Sequence, residues 1–171
     1  CREFYLKMVS PRRREMNWNL SGLSVTMPHK VTMAGLVDEL SGDAAAIGAV
    51  NTLQIEDGRS VGHNTDAEGF LRSLIDRIGD VRGLRAGIIG SGGAARSVAY
   101  ALSKHSADVV VFSRSPEDAS DVEASFGAEI RLLSSDPSSF SDLDIMVNAS
   151  PLGSCGDLEH VSPVPTAAFE N

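Results

Sequence analysis

The chain has 171 residues, 42% hydrophobic, 22% charged and 5% aromatic, with a formal net charge of −8. That acidic balance gives no footprint for nucleic acid, which needs a basic patch, and no apolar run approaches the roughly 18 residues of a membrane-spanning helix. The two cysteines, Cys1 and Cys155, make no disulfide framework and match no common metal spacing, so a reducing, cytoplasmic setting is expected.

The chain opens on "CREFYLK" without an initiator methionine, and we expect it to be a piece of a longer polypeptide. "FYLKMV" (4–9) alternates well enough to predict a strand ended by Pro11, and Arg12-Arg13-Arg14 reads as a solvated face. "GLSVT" (22–26) is a second strand. From Lys30, the residues Val31, Ala34, Leu36, Val37 and Leu40 fall at helical spacings and predict a helix to about residue 40. "AVNTLQI" (49–55) and "SVGHNTD" (60–66) are strands joined through Asp57-Gly58, a hairpin signal. Phe70, Leu71, Leu74, Ile75 and Ile78 then predict a connector helix over about 67–79.

Beyond it the pattern becomes β-α-β: strand 85–90, helix 93–104, strand 108–113, a charged helical stretch from about 116 to 126, a weak strand 129–133 and a strong one 143–150. The fold class is therefore α/β. Residues 1–80 form a first α/β domain, and residues 81–171 form a Rossmann-type, doubly wound parallel-sheet domain.

The second domain carries the clearest motif. Gly90, Gly92 and Ala95 stand at the spacing G-x-G-x-x-G/A, directly after an apolar strand and before a helix, which is the context dinucleotide binding requires. Gly90 permits the tight turn, Gly92 lets backbone approach a pyrophosphate, and the helix's first amides face the phosphates. The next strand ends in Ser113-Arg114-Ser115, where an NAD site usually has a carboxylate. A 2′-phosphate against Arg114 favours NADP and leaves NAD open, since Arg114 also suits a plain surface and Glu117 and Asp118 lie nearby.

In the first domain, polar groups collect at strand ends: Thr26 with Lys30, Asn51 with Thr52, and Asn64-Thr65-Asp66. Together they suit a pocket for a polyhydroxylated small molecule, with a lysine and a carboxylate for proton transfer. Each also has a bland reading: Asn51 as a turn cap, Asp66 as a helix cap, Lys30 as an exposed helix-start lysine. A lysine at a helix entrance is poorly matched to the helix dipole, so Lys30 rather than His29 is the candidate acid.

"GLSVTMPHK", "GAVNTL", "GHNTDAEGF", "GSGGAARS", "SRS" and "NASPLG", in this order over residues 22–153, resemble the shikimate dehydrogenases and their quinate/shikimate relatives. The resemblance implies a substrate domain followed by an NADP domain, and NADPH-dependent reversible reduction of 3-dehydroshikimate to shikimate, in aromatic amino acid biosynthesis. It implies Lys30 and Asp66 as the catalytic pair, with Thr26, Asn51 and Asp66 on the substrate. It also implies Gly90, Ser91, Gly92, Gly93 and Ala94 at the pyrophosphate, Ser113, Arg114 and Ser115 at the 2′-phosphate, and Asn148, Ala149, Ser150 and Leu152 beside the cofactor ribose. The family's serine pair for the substrate carboxylate would precede Cys1, and its closing segments would follow residue 171. Fusion to other domains of the same pathway is a further expectation. The alternatives are a quinate/shikimate dehydrogenase using NAD, and a dinucleotide-binding regulatory module without catalysis, for which a retained Lys30 and Asp66 would have no use.

Overall fold

In a computed structural model, which describes residues 1–8 and 20–169, the chain begins with a helix, α1 (Arg2–Met8), where alternation predicts a strand. Phe4 and Leu6 are about half exposed, whereas Tyr5 is buried. Tyr5 is what fixes the helix: its hydroxyl meets Ser60 Oγ at 2.7 Å and its ring joins the first core. Residue 9, Pro11 and Arg12-Arg13-Arg14 lie outside the described residues.

Strand β1 (Gly22–Ser24) and helix α2 (Lys30–Ala34) follow. The predicted helix to residue 40 stops six residues early, at Gly35. Leu36, Val37 and Leu40 still pack into the same core as Met33, so their helical spacing reflects burial, not helix. Residues Glu39–Leu40 form β2 and pair in parallel with residues 61–62.

Helix α3 (Gly42–Ile47) is one that hydrophobic spacing does not reveal. Its caps do: Ser41 Oγ accepts the Ala44 N–H, and Gly48 closes it at φ 69°. Strands β3 (Thr52–Glu56) and β4 (Arg59–His63) are joined by Asp57 and Gly58 at φ 47° and 82°, the left-handed pair of a primed two-residue turn. Helix α4 (Asp66–Ile78) then leads away. The first sheet runs β1-β3-β4-β2, antiparallel except for its β4-β2 edge.

The second sheet is built from β5 (Arg85–Ile89), β6 (Asp108–Ser113), β7 (Glu129–Leu132) and β8 (Ile145–Asn148). Helix α5 (Gly93–Lys104) connects β5 to β6, and α6 (Ser120–Phe126), entered through a 3-10 turn at Pro116–Ala119, connects β6 to β7. All pairs are parallel in the order β7-β6-β5-β8.

Parallel strands are buried on both faces and so read as apolar runs. One face, with Ile88, Val109 and Val111, packs beneath α4, α5 and α6 around Ala99, Leu102 and Val122. The other, with Ile89, Val110 and Phe112, packs on Phe140 and Val164. The strand order reverses at β5, where β6 lies to one side and β8 to the other. In open α/β sheets a ligand sits at such a point, beyond the carboxyl ends of the strands.

Candidate active site and dinucleotide cleft

Lys30 is the first residue of α2, and Asp66 the first of α4. Lys30 Nζ donates to Asp66 Oδ2 at 2.7 Å, with the two side chains 17% and 33% exposed. The other carboxylate oxygen is also held: Asn51 Nδ2 donates to Asp66 Oδ1 at 2.7 Å and to Thr65 Oγ1 at 2.9 Å. Asn51 is itself fixed, its Oδ1 accepting the Thr65 N–H at 3.0 Å and the Thr52 hydroxyl at 3.1 Å. A carboxylate gripped on both oxygens cannot rotate, so it presents Lys30 in one orientation.

The backbone explains why residues so distant in sequence meet. Val50 N–H donates to the Lys30 carbonyl and Val25 N–H to the Asn51 carbonyl. The ends of β3 and β4 thus bring Asn51 and Asp66 beside Lys30, whereas Thr26, two residues past β1, is exposed.

A separate cleft of about 520 Å³ opens at the switch point of the second sheet. Gly90, Ser91 and Gly92 line it after β5, Ser113, Arg114 and Ser115 after β6, and Ala149, Ser150 and Leu152 after β8. Gly90 has φ 112°, and a Cβ there would lie 3.1 Å from the Ala149 carbonyl oxygen, so only glycine fits between β5 and β8. Gly92 is the N-cap of α5 and supplies no side-chain cap, which leaves the first-turn amides of Gly93 and Ala94 available to an anion. Around Gly92 nothing lies within 4 Å of a would-be Cβ, so there is space for a phosphate to approach the backbone. These features fit a dinucleotide.

The two sites touch. A Cβ on Gly93 would fall 2.7 Å from Lys30 Cβ, so the start of α5 rests directly on the lysine.

Comparison with known proteins agrees with this arrangement. Residues 9–53 match the model of the shikimate dehydrogenase substrate binding domain, and residues 85–158 that of the coenzyme F420-dependent NADP oxidoreductases. The shikimate dehydrogenase (NADP(+)) of Shouchella clausii is 40% identical over 139 residues, 78% of this chain and 50% of that protein. A crystal structure of a shikimate dehydrogenase in complex with NADP+ superposes with a TM-score of 0.79 at 34% identity, over 94% of this chain and 57% of that one. The Thermus thermophilus shikimate 5-dehydrogenase in complex with NADP(H) and shikimate gives 0.76 at 33% identity, over 93% and 59%.

Over most of its length the chain is similar to the shikimate dehydrogenases.

It spans about half the length of the relatives it matches. Likeness also extends to a 5-ketofructose reductase of Gluconobacter, 31% identical with a TM-score of 0.70 over 91% of this chain and 57% of that one.

Against the shikimate dehydrogenase pattern, two expected cofactor residues spend their polar groups on their own loops. Ser113 is buried, and its hydroxyl donates to the Ser115 carbonyl at 2.9 Å while accepting the Ser115 N–H at 3.2 Å. Its proton is committed, so it shapes the loop that carries Arg114. Asn148 likewise binds its own turn, donating to the Leu152 carbonyl at 2.8 Å and accepting the Ser150 N–H and hydroxyl at 3.0 and 2.7 Å.

Three further residues belong here: Met27, which the sequence did not single out, Asp118, which it named only as an acidic neighbour of Arg114, and Asn64, which it named only within the strand-end polar group. Met27 reaches the cleft from the turn between β1 and α2, and Asp118 lines it along with Arg114. Asn64, inside the "HNTD" motif, is buried and bonds across to α5. Its signal in the sequence was its place in the strand-end group just before a helix start. Among the described residues, no group of His, Cys, Asp and Glu could hold a metal ion, and no helix is long and apolar enough to cross a membrane.

Proposed function

We propose that this chain carries the acid-base pair and the dinucleotide site of an NADP-dependent shikimate dehydrogenase, which reduces 3-dehydroshikimate reversibly to shikimate. The observation that carries the reading is the Lys30–Asp66 ion pair of 2.7 Å, fixed by Asn51 and packed against the glycine that starts α5. On this reading residues 1–80 bind substrate and residues 81–171 bind the dinucleotide.

The dinucleotide supplies the hydride. Gly90, Ser91 and Gly92, with the first amides of α5, hold its pyrophosphate, and Arg114 its 2′-phosphate. Thr26 and Asn51 orient the substrate's hydroxyls. As the ketone carbon accepts hydride, its oxygen gains electron density and takes a proton from the Lys30 ammonium. Asp66 keeps that ammonium aimed and shares the neighbouring hydroxyl. In the reverse direction a neutral Lys30 accepts the alcohol proton. General acid-base help of this kind contributes about 10²- to 10⁴-fold.

Lys30→Ala tests it. Steady-state turnover should fall by about 10²-fold or more, while the dinucleotide affinity, measured by fluorescence titration, stays within about twofold because Lys30 supplies acid-base help rather than a phosphate contact. Near-normal turnover would remove Lys30 from the chemistry. Running 3-dehydroshikimate, 3-dehydroquinate and 5-ketofructose side by side assigns the substrate, and NADP against NAD the cofactor. Asp118, sharing the cleft with Arg114, is the observation that keeps NAD in that comparison, because a carboxylate there repels a 2′-phosphate.

A further inference from the structure

Strand β4 ends at His63 and α4 begins at Asp66, and the residue between them that faces inward is Asn64. Thr65, at the N-cap position, makes no side-chain cap bond. Asn64 does that work: its Oδ1 accepts the N–H of Asp66 at 3.1 Å and of Ala67 at 3.3 Å. Its Nδ2 donates to the Ala49 carbonyl at 3.0 Å, two residues before Asn51, and to Ser97 Oγ in α5 at 2.9 Å. Asn64 is 8% exposed and Ser97 fully buried, a place where an amide costs stability unless its groups are bonded.

The chain of hydrogen bonds is closed by a packing contact. Ser97, accepting from Asn64, has the Gly93 carbonyl at 3.0 Å as partner for its own proton, and Gly93 lies against Lys30. Lys30, Asp66, Asn64, Ser97 and Gly93 therefore form one ring, half in the first sheet's surroundings and half in the helix that opens the dinucleotide cleft. We propose that Asn64 is a positioning residue: it sets the Asp66 carboxylate for Lys30 and locks that pair in register with α5. This rests on the acid-base reading above, since a position matters only if the pair does chemistry.

Two variants separate positioning from packing. Asn64→Leu keeps the volume and loses every bond, whereas Asn64→Ser keeps an acceptor for the Asp66 and Ala67 amides. In ¹⁵N-labelled protein, Asn64→Leu should speed amide exchange at Asp66 and Ala67 by about five- to tenfold, the loss of a cap. It should also abolish the slowly exchanging Lys30 ammonium signal, which depends on the bond to Asp66. Asn64→Ser should retain that signal, with amide exchange within about threefold of the parent because its hydroxyl still caps α4. A wild-type ammonium signal in Asn64→Leu, or its loss in both variants, overturns the proposal. Neither readout requires turnover, so a failure of Lys30→Ala to slow the reaction would sink the acid-base reading while leaving this result interpretable by itself.

Discussion

Arg114 and Asp118 face the same cleft with opposite charges, and cofactor choice turns on that contrast. A guanidinium bonded to a phosphate is worth about 1.5–3 kcal/mol, so Arg114→Ala should weaken NADP about 10- to 100-fold and leave NAD within about twofold. Asp118→Asn should move the other way, tightening NADP more than NAD, because it removes a like charge without removing a donor. Dinucleotide titrations of the two variants check both, and equal losses for the two cofactors in Arg114→Ala would take that residue out of the 2′-phosphate site. Ser113, in contrast, should act on both cofactors alike, since its hydroxyl is spent on Ser115.

At the scale of elements, the start of α5 serves both sites, and its glycines differ in what they permit. Gly92 has open space around a would-be Cβ, whereas at Gly93 the nearest atom is Lys30 Cβ at 2.7 Å. That atom lies at the stem of the side chain and cannot swing aside, so Gly93→Ala must shift α2 or α5. Displacements of about 1 Å near the chemistry cost about 10²-fold. Gly93→Ala should therefore lower turnover and dinucleotide affinity together, whereas Gly92→Ala should lower affinity first. A Gly93→Ala variant that loses affinity alone, in the same kinetic and titration measurements, would show that α5 and Lys30 are not mechanically joined. Much of this element was legible in advance: the helix 93–104 and the strand 108–113 stand where the apolar pattern and glycine spacing predict them. The short elements were less so. In α2 and β2 burial alone produced helical spacing, and in α1 a single buried tyrosine overrode alternation.

Over the whole molecule, charge pairs tie the second sheet together on the side away from the cleft. Arg131 binds Asp142 through two nitrogens at 2.9 and 2.7 Å and Glu129 at 2.7 Å, and Arg85 reaches Glu129 and Asp142 as well. The Arg131 hydrogen bonds, offset in part by desolvation, hold the Asp142 carboxyl down at about 2. In the first half, the Ser60 hydroxyl and N–H likewise lower Asp38. A carboxylate depressed in the folded state stabilises fully above its unfolded value of about 3.9, and the contribution disappears as pH falls through the folded value. Stability to urea should therefore decline as pH drops from about 4 towards 2, and Arg131→Met should flatten that decline. The effect is modest, because Asp142 is 43% exposed and solvent screens such pairs. Ile88→Ala, at a position with no exposure in the sheet, should cost about 2–5 kcal/mol at every pH.

By itself the sequence determined the α/β class, the change of pattern near Gly79, the glycine loop and the residues that collect at strand ends. These are local properties: periodicity, turn chemistry and motif spacing are written in neighbouring residues. Only the tertiary structure decided what those residues do to one another. It brought Lys30 and Asp66, 36 positions apart, to 2.7 Å, and joined Asn64 to Ser97 across 33 positions. Such pairings depend on how strands end and helices dock in three dimensions, and no spacing along the chain encodes them.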